Sequence, residues 1–145
     1  MRAVVQRVRS ASVTVGDETV GEIGRGFCVL LGVESGDTAE RAKALASRLA
    51  KLRIFDDAAG KMNLALADVG GSVLLVSQFT LLGDCTGGNR PSFIRAARPE
   101  EAEPLYGLVR AELERHGLRV ATGRFRTAML VRIENDGPVT ILLEG

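Results

Sequence analysis

Histidine occurs once in this chain, tryptophan not at all, and cysteine twice. A Ser-His-Asp or Cys-His set would have to borrow His116, which the apolar periodicity places at the C-terminal end of a helix. A cation there interacts favourably with the helix dipole, which gives His116 a structural role far from the promising loops. Zinc sites usually draw on three or four Cys and His ligands, and no such spacing exists, so no metal is expected. Gly83–Gly88 is not followed by Lys-Ser/Thr and no GxGxxG opens a helix, so no phosphate-cradling loop is present. No stretch approaches the roughly 20 apolar residues of a membrane span. The segment Met1–Arg7 alternates polar and apolar residues in place of a signal-peptide core, so export is not expected. Two distant cysteines make no disulfide framework, Cys28 packs as a small hydrophobe within Phe27–Leu31, and the compartment reads as cytoplasmic. A net charge of +1 gives no broad basic field, although a local patch suffices to grip one end of an RNA.

What is present is material for one globular domain spanning 1–145, with 46% hydrophobic and 26% charged residues. Residues 2–9 and 11–15 read as extended, Gly16-Asp17 as a turn, and Val20–Ile23 as the returning strand. Phe27–Val33 is apolar at nearly every position, the pattern of a central strand buried on both faces. Asp37 with Glu40 three residues on predicts a capping box. Ala42, Leu45, Ala46, Leu49 and Leu52 then form the buried stripe of an amphipathic helix. A short strand is expected at Leu52–Phe55, a turn at Asp56–Gly60, and a strand over 72–79. Pro99 with Glu100, Glu101 and Glu103 suits a second helix start, and Gly117 its stop; Pro104 and Gly107 predict a kink or a later start. Strands at about 118–124, 127–134 and 138–143 complete an α+β domain. Its mixed or antiparallel sheet is expected to curl toward a barrel, with two main helices.

Two segments carry the chemistry. In Ser77-Gln78-Phe79-Thr80 a strand must end before the glycine-rich loop 83–92, and backbone N–H groups there can face a cavity as an oxyanion hole. Thr80 is the side-chain nucleophile at hand, with no activating base in sight. Alternatively, Ser77 and Thr80 merely satisfy a strand end while Phe79 fills the core. Asn135-Asp136-Gly137-Pro138 reads equally well as a hairpin turn or as a special backbone feature, since X-Pro is the common site of cis peptides. Cys85 lies in a loop with only Arg90 nearby to depress its pKa, and Asp56-Asp57 reads as a turn.

Together these segments resemble the two signature motifs of the D-aminoacyl-tRNA deacylases. Further segments match in family order over essentially the whole length: Met1–Val8, Leu52–Phe55, Gly60–Asn63, Gly88–Phe93 and Thr122–Phe125. The chain departs from the family at Cys85-Thr86-Gly87, where lysine is common before Gly88, at Arg126-Thr127 in place of Gly-Ala, at Ala128, and at Leu82. The resemblance implies hydrolysis of the ester joining a D-amino acid, or glycine, to the terminal ribose of tRNA, with rejection of L-amino acids and no cofactor. It implies catalysis at Ser77, Gln78, Phe79 and Thr80, with the N–H groups of Phe79 and Thr80 facing the ester. It further implies a cis Gly137-Pro138 bond inserted into the partner subunit of a homodimer to exclude the L side chain. Arg7 and Gln78 would buttress that arrangement and Met129 would lie beside it. The partner is the tRNA acceptor end, with no membrane and no metal. The competing readings are a noncatalytic dimeric RNA-binding protein of the same fold, and a small-ester hydrolase using Cys85.

Overall fold

β1 (Arg2–Val15) is the strand on which the sheet is assembled in the computed structural model, which describes residues 1–145. Its first half pairs antiparallel with β3 (Gly26–Gly32) and its second half with β2 (Glu18–Ile23), while its other edge pairs with β8 (Leu130–Glu144) along nearly its whole length. β3 pairs parallel with β6 (Ser72–Ser77), and β6 parallel with β7 (Val120–Thr122), giving the order β2-β1-β3-β6-β7. The sheet is therefore mixed. It nearly closes on itself, because Arg119 donates to the Glu22 carbonyl at 3.3 Å and a Cβ on Gly21 would collide with the Thr122 carbonyl. β4 (Phe55–Asp56) and β5 (Met62–Leu64) form a separate small hairpin.

Two hydrophobic cores explain the double burial of β3. Phe27, Val29 and Leu31 enter the larger core, between the sheet and the helices α1 (Ala39–Lys51) and α3 (Pro99–Arg115). Cys28 points into a smaller core inside the curl with Val8, Val13, Leu74 and Val76. Along β1 the alternation sends Ala3 and Val5 to the larger core and Val8 to the smaller one. An extra residue between Val8 and Ser10 then switches the parity, so that Ala11 and Val13 also face the smaller core. Arg7 continues the Ala3–Val5 row and is buried, with 7% of its surface exposed.

Several boundaries differ from those the sequence predicts. Residues 2–15 form one strand, and the strand at 72–79 stops at Ser77. β4 covers only Phe55–Asp56, and a one-turn helix, α2 (Leu66–Val69), precedes Gly70. Thr38, not Asp37, caps α1: its hydroxyl accepts from Arg41 N at 3.3 Å. The Asp37 carboxylate is instead taken by the Met1 ammonium at 2.8 Å and by Glu34 N at 2.7 Å, both in a dry setting where a charge must be paired. α3 starts at Pro99 and runs through Pro104 and Gly107 to Arg115. Gly117, at φ +83, ends it in the expected way.

The largest difference concerns the C-terminal strands. Residues 130–144 form a single strand that stays paired to β1 on both sides of Gly137-Pro138. Asn135 lies opposite Val8 and Thr140 opposite Gln6, so the four residues Asp136–Val139 face the single residue Arg7. A hairpin turn would have reversed the chain; the segment is a wide bulge.

Candidate active site

Strand β6 delivers Ser77 to the mouth of a cavity of about 600 Å³, a size suited to a small organic group. After Ser77 the chain leaves the sheet. Gln78 N still donates to the Leu31 carbonyl at 2.8 Å, and Phe79–Leu82 then form a 3-10 turn. Its bonds run from Leu81 N to Gln78 O and from Gly83 N to Thr80 O. The N–H groups of Phe79 and Thr80, at the start of the turn, lie outside this pattern, and no side chain caps them. Two adjacent free donors at the edge of a cavity can stabilise an oxyanion.

Around them the lining is mostly apolar, with Arg126 its one charged residue. Val33 extends from the end of β3, Ala97 and Ala102 come from the approach and first turn of α3, and Phe125 and Met129 come from the β7–β8 loop. Phe79 is 56% exposed and meets Phe93 edge-on, with ring centroids 5.2 Å apart. Phe93 is held by the loop 84–92, whose ends are tied by two bonds of 2.8 Å between Asp84 and Ser92. The Gln78 amide donates to the Thr80 hydroxyl at 3.0 Å. No carboxylate or imidazole contacts that hydroxyl, so nothing present would deprotonate it. His116 sits at the C-cap of α3 beside Glu112, and Cys85 is exposed outside this cavity. No group of three His, Cys, Asp or Glu side chains converges anywhere.

A second cluster is built on the β8 bulge. Arg7 donates to Ile54 O at 2.8 Å and to Asp136 O at 3.1 Å, with the Asp56 and Asp136 carboxylates at 3.5 and 3.8 Å. Asn135 Oδ1 accepts from Val139 N at 2.9 Å and closes the bulge from below. The Gly137-Pro138 bond is cis and both residues are exposed. Gly137 has φ +129, and a Cβ on it would lie 2.8 Å from Val139 Cγ2 and 3.0 Å from an Arg7 guanidinium nitrogen. Only glycine fits.

The eight residues singled out in the sequence thus fall into two groups. Ser77, Gln78, Phe79, Thr80 and Met129 line one cavity; Gly137 and Pro138 lie in an exposed bulge held by buried Arg7, and none of these three lines it. Gln78 contacts Thr80 and not the bulge, whereas Arg7 anchors the bulge together with Asn135. Sequence reasoning did not assign Val33, Ala97 or Ala102 to the cavity, and it marked Arg126 only as a departure from the family. Phe93 and Phe125 carried a signal only as parts of matching family segments.

The family model described as D-Tyr-tRNA(Tyr) deacylase matches residues 4–144. The chain belongs to that family. A D-aminoacyl-tRNA deacylase from Anaeromyxobacter dehalogenans is 61% identical, over all of this chain and 97% of its own length. One from Halalkalibacterium halodurans is 54% identical, over all of this chain and 99% of its own. Among solved structures, the c-Myc DNA Unwinding Element Binding Protein is 44% identical with a TM-score of 0.91, covering all of this chain and 99% of that one. A probable eukaryotic D-amino acid tRNA deacylase shares the fold at TM-score 0.86 and 19% identity, over 98% of this chain and 97% of its own.

Proposed function

We propose that this protein hydrolyses D-aminoacyl-tRNA and glycyl-tRNA, releasing the free amino acid and reusable tRNA, and leaves L-aminoacyl-tRNA intact. The observation that carries the reading is the pair of uncapped N–H groups of Phe79 and Thr80 at the edge of a mostly apolar cavity. Water attacks the ester carbonyl, the new oxyanion is held by those two N–H groups, and the bond to the ribose oxygen breaks. The ribose hydroxyl beside the ester takes the proton from water and relays one to the leaving oxygen, so no side-chain base is required. Thr80, held by Gln78, positions the substrate.

Selection for handedness rests on a symmetric homodimer in which the bulge of one protomer enters the cavity of the other. Three features support this arrangement: Gly137 and Pro138 are exposed, they stay outside their own protomer's cavity, and Leu142 on the same edge strand is 72% exposed. The Gly137 and Pro138 carbonyls then hold the substrate ammonium and crowd out an L side chain. The RNA contact is confined to the acceptor end, in keeping with a net charge of +1. The protein acts in the cytoplasm, a setting suited to the unpaired Cys28 and Cys85. No helix is long and apolar enough to cross a membrane.

Matched D- and L-tyrosyl-tRNA provide the first test: only the D form should be cleared, and equal clearance of both would overturn the selectivity. Mixing Gly137→Ala and Phe79→Pro proteins, each strongly impaired alone, tests the shared site. Random re-pairing gives about half heterodimers, each with one intact site of two, so activity should return to about one quarter of wild type. No recovery after subunit exchange would refute a site built from two chains.

A further inference from the structure

Arg126 is the one ionisable side chain lining the cavity. It is exposed, and its backbone sits at φ +59, the only non-glycine residue in the chain with a positive φ. For an L-residue that conformation is disfavoured, and glycine would occupy it freely. The neighbouring groups are already satisfied: Arg124 pairs with Glu18 at 3.1 Å, and the Thr127 hydroxyl donates to the Phe125 carbonyl at 3.2 Å. Arg126 itself has no acidic or carbonyl partner. A free guanidinium, presented at the rim of an otherwise uncharged cavity by an unfavourable backbone, is arranged for an incoming anion.

Resting on the function proposed above, we infer that Arg126 grips the phosphate joining the last two nucleotides of the tRNA acceptor end. The substrate's ammonium group would be repelled by a guanidinium, so Arg126 marks the nucleotide end of the cavity and not the amino-acid end. Every aminoacyl-tRNA carries this phosphate immediately 5′ of its terminal adenosine. The planar fork of arginine matches two phosphate oxygens at once, which a lysine ammonium does only as a point charge. Arg126 thereby aligns the ester with the N–H groups of Phe79 and Thr80 from the opposite end of the substrate.

The test compares wild type with Arg126→Gly and Arg126→Lys on D-tyrosyl-tRNA, on D-aspartyl-tRNA and on D-tyrosyl-adenosine, which has the same ester as the first but no phosphate. Glycine accepts φ +59, so Arg126→Gly keeps the fold. The ratio of kcat/KM on tRNA to kcat/KM on the adenosine ester should fall about tenfold in Arg126→Gly. The dependence of log(kcat/KM) on log salt should become shallower by about 0.7, the share of one single-strand phosphate. Arg126→Lys should restore the salt slope but only part of the rate. An equal loss on both substrates, or a loss confined to D-aspartyl-tRNA, would overturn the inference, the latter by showing that Arg126 meets a side-chain carboxylate. Affinity for uncharged tRNA, measured on the same variants, reads the contact even in a protein that cleaves nothing. An unchanged affinity and slope there would reject the phosphate contact independently of the catalytic reading.

Discussion

Replacing Phe79 by proline deletes one proposed oxyanion donor while leaving the backbone path intact. Gln78, which precedes it, has φ −145 and ψ 92, an extended conformation outside the α region that a following proline disfavours. Phe79 opens a 3-10 turn, whose φ of about −50 to −70° overlaps that of proline, and its N–H is not used by the turn. Thr80→Pro would be a poorer choice, because it would force the helical Phe79 into an extended conformation. The substitution also removes a half-exposed ring touching Phe93, an aromatic contact worth about 0.5–1.5 kcal/mol. Phe79→Ala is therefore the reference. One oxyanion donor contributes about 2.7–4 kcal/mol, so kcat of Phe79→Pro should lie about 10²–10³ below that of Phe79→Ala. Thr80 N–H remains and keeps the residual rate above background. Single-turnover hydrolysis of D-tyrosyl-tRNA, with thermal melts to verify folding, gives the measurement. A Phe79→Pro protein within threefold of Phe79→Ala would refute catalysis by the backbone donors.

Arg7→Met should destabilise the fold by about 3 kcal/mol in denaturant unfolding, since it strips charged donors from the Ile54 and Asp136 carbonyls, and should impair D-ester hydrolysis with it. A stability change below about 0.5 kcal/mol would mean the bulge does not depend on this anchor. Thiol alkylation of the folded protein should label exposed Cys85 and spare buried Cys28, with activity kept within a few-fold; loss of about a hundredfold would revive the cysteine-nucleophile reading. At high pH the protein should lose stability. Burial pushes the Tyr106 phenol up to about 12 and the Cys28 thiol up to about 11, so both stay neutral in the fold after the unfolded chain has ionised. Their contribution is complete below pH ~9 and disappears as pH rises toward about 12. Unfolding free energies flat from pH 8 to 12 would contradict that.

Sequence patterns with a local cause were legible. The stripe Ala42, Leu45, Ala46, Leu49 is buried in α1, Phe27–Leu31 is the doubly buried strand, and Gly117 ends α3. Misreadings arose where a distant partner decides. Asp37 looks like a cap until the Met1 ammonium claims its carboxylate. Pro104 looks like a break, yet the carbonyl it leaves without a donor belongs to exposed Glu100, so the helix continues. Asn135–Pro138 has the composition of a turn, and only the shared partner β1 turns it into a bulge. Both site segments were visible as words, but nothing in their order along the chain reveals that one lines a cavity and the other lies exposed outside it.

The pairing of β1 with β8 also governs how the chain reaches its fold. Ladder partners such as Arg2 with Glu144 and Val4 with Leu142 lie almost the full sequence apart. Loop-closure entropy must be spent before these contacts return anything, so folding should be slow, in the millisecond-to-second range of high-contact-order domains. During synthesis β1, β2 and β3 can pair early, while the other edge of β1 stays open until β8 leaves the ribosome. That unpaired edge is a template for another chain's strand, and the nascent protein is at its greatest risk of aggregation in this interval.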